Sequence, residues 1–131
     1  NYKKTWNPVR YEYGDRFGKT GKMFHLEQPF YCDYGYNIEI GENFYTNHNV
    51  VILDCAKVTF GDNVFVAPNC GFYTAGHPLD AETRNKGLEN AKPITIGNNV
   101  WLGAGCSVLP PSPRQPALCR EPSGYRYALR R

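Results

Sequence analysis

The chain has 131 residues, 15 Lys and Arg against 12 Asp and Glu, and a net charge of +3. That length supports one domain rather than two, and a charge so small, with its basic residues gathered at the two ends, excludes a nucleic-acid footprint. No apolar run approaches the ~20 residues a membrane-crossing helix needs, and no signal peptide is visible.

Residues 1–28 read as a connector, the end of a truncated helical segment. The first 22 are rich in Lys, Arg, Tyr and Gly and carry no apolar face. Met23-Phe24-His25-Leu26, followed by Pro29, fits an edge strand, because proline removes a ladder donor. Residues 30–37 are aromatic and turn-rich. Five cysteines, Cys32, Cys55, Cys70, Cys106 and Cys119, make an odd number with no pair at a metal-ligand spacing. They read as small buried hydrophobes in a reduced, cytoplasmic setting.

From Ile38 an internal repeat sets in. Ile40-Gly41-Glu42-Asn43, Phe60-Gly61-Asp62-Asn63 and Ile96-Gly97-Asn98-Asn99 are near-copies, each entered through an apolar-x-apolar triplet. Apolar residues then recur at steps of six: Phe60, Val66 and Phe72, then Ile96, Leu102 and Val108. The first copy runs Ile40, Thr46, Ile52, with a polar middle member. Three short strands joined by turns make a triangular coil of about 18 residues, and stacked coils make a left-handed parallel β-helix. The sixth residue points into the prism, while Gly and Asn at the corners accept the turning backbone. The fold class is therefore all-β, a hexapeptide-repeat solenoid over residues 29–110.

One segment interrupts the beat. Tyr73 to Pro93 is polar, with no strand or helix period, and it lengthens the distance between the second and third copies. It reads as a long loop inserted at one corner, without structure of its own. Such loops on a rigid scaffold are where function concentrates, and His77 is its chemically distinctive residue. After Leu109-Pro110 the beat fails. Residues 111–131 hold four Pro and five Arg but no Val, Ile or Asn, and are expected to form an irregular tail that leaves the last coil with an unpaired edge.

The segments Pro29–Gly35, Asn43–Asn47, Tyr73–Pro78 and Lys92–Gly103 resemble the maltose/galactoside O-acetyltransferase family, and look closest to its maltose branch. The resemblance spans about two-thirds of the chain. It implies acetyl transfer from acetyl-CoA, a co-substrate, to a sugar hydroxyl, with no metal, in a homotrimer whose active sites lie between subunits. It implies His77 as the general base, with direct attack and no covalent enzyme intermediate; an imidazole suits that task near neutrality. Asp33, Tyr45, Asn47 and Asp54 are implied on the acceptor side, with the match at Asp54 open to a slip of one residue onto Cys55. Trp101 and Ala104 are implied at the acetyl end of the cofactor, where a backbone N–H near Ala104 stabilises the oxyanion. Two departures accompany the likeness: the family's N-terminal helical segment is absent or cut short, and its further coils after Pro110, which line the coenzyme A arm, are replaced.

Two rival readings stand beside this one. A solenoid without a working coenzyme A groove follows from the altered tail. A zinc enzyme of the γ-carbonic anhydrase type, which uses three histidines across an interface, is raised by His25, His48 and His77, but no pair has that class's close spacing.

Overall fold

The six-residue beat winds the chain into a three-sided prism. The computed structural model describes residues 16–112 and the backbone of residues 119–120 and 126–127. In chain order the strands are β1 (Phe24–Leu26), β2 (Phe30–Cys32), β3 (Ile38–Glu39), β4 (Phe44–Thr46), β5 (Val50–Leu53), β6 (Val58–Phe60), β7 (Val64–Val66) and β8 (Gly71–Tyr73). The inserted segment adds β9 (Ala75–Gly76), the single turn α1 (Ala81–Asn85) and β10 (Asn90–Ala91). The prism resumes with β11 (Ile94–Ile96), β12 (Val100–Leu102) and β13 (Ser107–Val108), followed by β14 (Cys119–Arg120) and β15 (Arg126–Tyr127).

Each prism face is a parallel sheet of strands from successive coils. One face orders β11-β6-β3, the second β1-β4-β7-β12, and the third carries β2, β5, β8 and β13 in sequence. Register is strict: Ile38 sits on Val58 and Val58 on Ile94. In β4, β6, β7 and β11 the first and last side chains point inward and the middle one outward, as a period of two requires. Ile38 and Ile40, Phe44 and Thr46, and Val50 and Ile52 are the buried pairs of one coil; Val58 and Phe60, Val64 and Val66, and Cys70 and Phe72 are those of the next. The rings of Phe44, Phe60 and Phe72 meet inside the prism, the first pair tilted at 54° and the second edge-on at 82°, with centroids 4.9 Å apart at both contacts. Each such side chain contributes about 1.5–3 kcal/mol through burial.

Two of the three corners repeat an asparagine turn, with Gly105 at φ 74° closing the last of the second set. Asn43, Asn63 and Asn99 turn one corner and Asn49 and Asn69 another, all with φ between 55° and 61°. Asparagine tolerates this left-handed backbone. Its side chain then joins coil to coil, from Asn43 Nδ2 to Asn63 Oδ1 at 2.8 Å, from Asn63 Nδ2 to Asn99 Oδ1 at 3.2 Å and from Asn49 Nδ2 to Asn69 Oδ1 at 2.8 Å. The repeat glycines have a different reason from the one expected. Gly41 and Gly61 do not adopt positive φ. A Cβ at Gly61 would lie 2.9 Å from the Gly97 backbone, so these glycines are required by the close stacking of coils.

The third corner breaks the repeat in each coil. It spans residues 33–37, then 54–57, then the long excursion before β11. The first two are each two residues longer than a strict six-residue step, which accounts for the 20-residue spacing of the first two copies.

Several expectations are corrected. Residues 1–15 lie outside the described residues, but the coils begin before the boundary expected at residue 29. β1 pairs in parallel with β4 at a sheet edge, Ile40 N–H donates to the Lys19 carbonyl at 3.0 Å, and the Phe17 ring meets Phe30 at 5.9 Å. This first coil keeps the repeat glycine, Gly21 against Gly41, but has Met23 where the second coil has its corner asparagine. The inserted segment is also ordered: β9 and β10 pair antiparallel, Asn90 against Gly76, and Asp80 caps α1 by accepting from Thr83 N–H at 2.8 Å. In the tail, β14 and β15 are not further coils, as expected, yet they are not irregular. β14 pairs antiparallel with β13, covering the edge expected to be bare on that face, and β15 pairs with β14. Finally, Cys106 is disulfide-bonded, while Cys32 and Cys55 are free thiols, so a uniformly reduced set does not describe the chain. No helix among the described residues is long and apolar enough to cross a membrane.

Candidate active site

The irregular corner encloses a cleft of about 520 Å³. The first coil contributes Asp33 and Tyr34, the second Leu53 and Cys55, and the excursion Ala75, His77 and Glu89. The sequence-expected Asp33 and His77 are thus brought together, although they are far apart in the chain.

His77 is held by the return limb of its own loop. Pairing of β9 with β10 folds residues 88 and 89 back over residue 77. Imidazole Nδ1 lies 3.2 Å from the Leu88 carbonyl oxygen, and Nε2 lies 3.9 Å from a Glu89 carboxylate oxygen. A carbonyl only accepts, so this contact requires the proton on Nδ1. In the neutral ring Nε2 then keeps its lone pair free to take a proton. Glu89 sets its carboxylate on that side of the ring. Around this pair the loop is stiffened: Arg84 donates to the carbonyls of Pro78 and Leu79, each at 3.0 Å. At its base, buried Thr74 donates to the Leu53 carbonyl and accepts from Ala56 N–H at 3.1 Å.

Asp54 does not face the cleft. It is fully buried, and its carboxylate accepts from the backbone N–H groups of Asp33 (3.0 Å), Tyr34 (2.9 Å), Gly35 (2.8 Å) and Asn37 (3.3 Å). Its acceptor role is therefore corrected: with its lone pairs used by backbone amides, it shapes the turn that presents Asp33. The neighbouring Cys55 is the residue in the cleft, and its thiol donates to Asp33 Oδ2 at 3.3 Å. Burial, aided by the Asp33 hydrogen bond and nearby carboxylates, pushes the Cys55 thiol up from its usual 9.0, so it is not an activated nucleophile.

The remaining expected residues lie elsewhere on the prism. Tyr45 and Trp101 project from the face formed by β1, β4, β7 and β12, with Trp101 78% exposed. Tyr45 stacks on His25 at 5.8 Å and meets Phe65 edge-on at 6.2 Å; partial burial, then the Glu27 charge, holds its phenol above the usual 10.0. Asn47 and Ala104 follow β4 and β12 at the next corner, where Asn47 Oδ1 accepts from His48 N–H at 2.7 Å. The expected site is therefore split in one chain between the cleft and this second face. His25, His48 and His77 lie on that face, its following corner and the loop, and no three metal-ligating side chains cluster among the described residues.

Sequence reasoning missed Glu89 and Tyr34. Glu89 sits in an aperiodic polar run, and only the antiparallel return of the loop reveals its neighbour. Tyr34 was visible only as part of a family segment.

Comparison with known proteins places these features. No protein-family profile matches the chain. A provisionally named acetyltransferase of Saccharomyces cerevisiae is 68% identical over 93 residues, 71% of this chain and 47% of its own length. A solved maltose O-acetyltransferase from Clostridium difficile is 49% identical with a TM-score of 0.73, over 75% of this chain and 52% of that one. A galactoside acetyltransferase solved with coenzyme A is 42% identical with a TM-score of 0.71, over 75% of this chain and 49% of that one. Solved hexapeptide-repeat acetyltransferases of this kind are left-handed β-helices, the architecture of the prism described above. The chain spans about half the length of the curated relatives it matches.

Proposed function

We propose, from the premise that this chain belongs to the sugar acetyltransferase family of hexapeptide-repeat proteins, that it serves acetyl transfer from acetyl-CoA to a sugar hydroxyl, with His77 as the general base. The observation that carries this reading is the hold on His77: Nδ1 on the Leu88 carbonyl leaves Nε2 as the basic atom of a cleft that also presents Asp33. Asp33 accepts a hydrogen bond from an acceptor hydroxyl. A second hydroxyl gives its proton to Nε2 as its oxygen attacks the thioester carbonyl. The tetrahedral oxyanion then collapses, the C–S bond breaks, and the imidazolium returns the proton to the leaving thiolate. No step needs a thiol of the protein, in keeping with the raised Cys55.

The two-part placement of the other residues supports a homotrimer. In a closed threefold ring a heterologous contact brings one prism face of each copy against another face of its neighbour. Tyr45, Asn47, Trp101 and Ala104 of one copy then complete the cleft of the next, with Trp101 and the Ala104 backbone serving the acetyl end of the cofactor. A cytoplasmic location belongs to the same proposal.

A second reading is favoured by one observation. The parallel ladder ends at β13, and β14 runs antiparallel to it. On that reading the chain keeps the acceptor cleft but lacks a surface for coenzyme A. An acetyl-transfer assay over a panel of sugars, with calorimetric titration of coenzyme A, separates the two. Transfer that depends on His77 supports the first reading. An absence of both transfer and coenzyme A binding leaves the second.

A further inference from the structure

The cleft that holds His77 carries a charge pattern that acetyl transfer does not require. Its lining has two carboxylates, Asp33 and Glu89, and, beside the neutral His77, no lysine or arginine among the described residues. Lys92, on the return limb, does not line the cleft, and other cations of the neighbouring segments are engaged elsewhere. Arg84 donates to backbone carbonyls, Lys86 pairs with Glu82 at 3.5 Å and Lys57 with Glu39 at 2.7 Å. Arg16, whose field reaches Cys32, does not line the cleft.

The two other ionisable groups of the wall remain neutral. Cys55 is raised first by burial and then by its hydrogen bond to Asp33 and by the Asp33 and Glu89 charges. Tyr34 is raised first by Cys55, then by Tyr36 and partial desolvation, and also by Asp33 and Glu89. Asp33 has one carboxylate oxygen on the Cys55 thiol, an uncharged donor. Glu89 is half exposed and approaches Nε2 of a histidine that must be neutral to act as a base. The resting cleft thus presents negative charge to whatever enters it.

We infer that this cleft selects its acceptor by charge: an amino sugar, with a protonated amine beside its hydroxyls, is preferred to the neutral sugar, and sugars bearing phosphate, sulfate or carboxylate are rejected. The inference rests on reading the cleft as the acceptor site. An ammonium group gains from both carboxylates, whereas an anionic substituent meets them with no cation to offset the repulsion.

The test is calorimetric binding of glucosamine, glucose and glucose 6-phosphate to the full chain, at low ionic strength and a pH where the amine is protonated. Glucosamine should bind about fivefold to tenfold more tightly than glucose, and glucose 6-phosphate weaker than glucose by a similar factor. High salt should compress the series. Glu89→Gln should narrow it, and Glu89→Gln with Asp33→Asn should level it; both changes are near-isosteric, and Glu89 is half exposed, so folding is not at stake in the single variant. Equal binding of glucose and glucose 6-phosphate at low salt, an unchanged order in the double variant, or no binding of any of the three overturns the inference. Because binding needs no turnover, an intact order in a chain that transfers no acetyl group removes the transferase reading alone.

Discussion

The corners of this prism follow two different rules. At the two regular corners an asparagine recurs, three times at one and twice at the other before Gly105 takes the turn, and Asn63 bonds both the asparagine below and the one above. At the third corner nothing recurs. Its successive versions carry Asp33, then the Asp54-Cys55 pair, then a loop with its own hairpin and capped helical turn. Every residue lining the cleft comes from this third corner or the strand end that enters it. Repetition gives stability, because each added coil reuses the same contacts. A catalytic constellation needs unlike groups in one place, and a repeat supplies those only where it lapses.

The comparison is sharpened most by removing its chemical centre. His77→Ala is expected to lower acetyl-transfer turnover by ~10²–10⁴, the usual weight of a general base, with little change in acceptor affinity or melting temperature. Steady-state kinetics beside a thermal melt check this, and wild-type turnover in an active preparation removes the assignment. Asp54→Ala comes next, as the staple of the turn at 33–37. It leaves four backbone donors without their acceptor, and a cost of about 3–5 kcal/mol is expected in denaturant unfolding. A change within error would mean the turn at 33–37 is held by other contacts.

A regular corner is tested by Asn63→Ala, expected to cost about 1–3 kcal/mol from the left-handed backbone and the two lost side-chain bonds. Asn63→Gly should recover the backbone part only. Neither should alter acceptor affinity, and a variant that did would join the two kinds of corner. The smallest effect is local to the loop. Thr83, through its hydroxyl and amide, holds the Asp80 carboxyl below its usual 3.8. A lowered folded value means that this order is present above that pH and is lost as pH falls through the lower value. Faster amide exchange at Thr83 and Arg84 in acid, against unchanged exchange in the coils, is the expected result.

The two rules also explain what the sequence revealed. The coils were legible because every inward residue sits on a fixed period, and the asparagine corners because a left-handed turn restricts residue choice. The start of the first coil, Phe17 to Leu26, was placed outside the prism because Gly18 and Thr20 stand where the second coil has Ile38 and Ile40, and Met23 where it has its corner Asn43. His77 stood out through the loop motif shared with a family. Its relation to Glu89 was not legible, since an aperiodic polar run does not announce an antiparallel return. Asp54 was read as an acceptor ligand because a carboxylate beside a site looks functional in sequence; only burial and four backbone donors reveal its structural use. Tail pairing was hidden because β14 owes its place to the exposed edge of β13, a tertiary circumstance with no local signal.

The central claim is that the loop returns so that Leu88 can fix His77 with its proton on Nδ1, leaving Nε2 as the base. Nitrogen-15 NMR of the imidazole, in protein labelled at histidine, reads this directly at a pH where the ring is neutral. The account predicts a protonated Nδ1 and an unprotonated Nε2 for the resonance that disappears in His77→Ala. A protonated Nε2 on that resonance would contradict it, because the cleft would then hold no base at the atom that faces the acceptor.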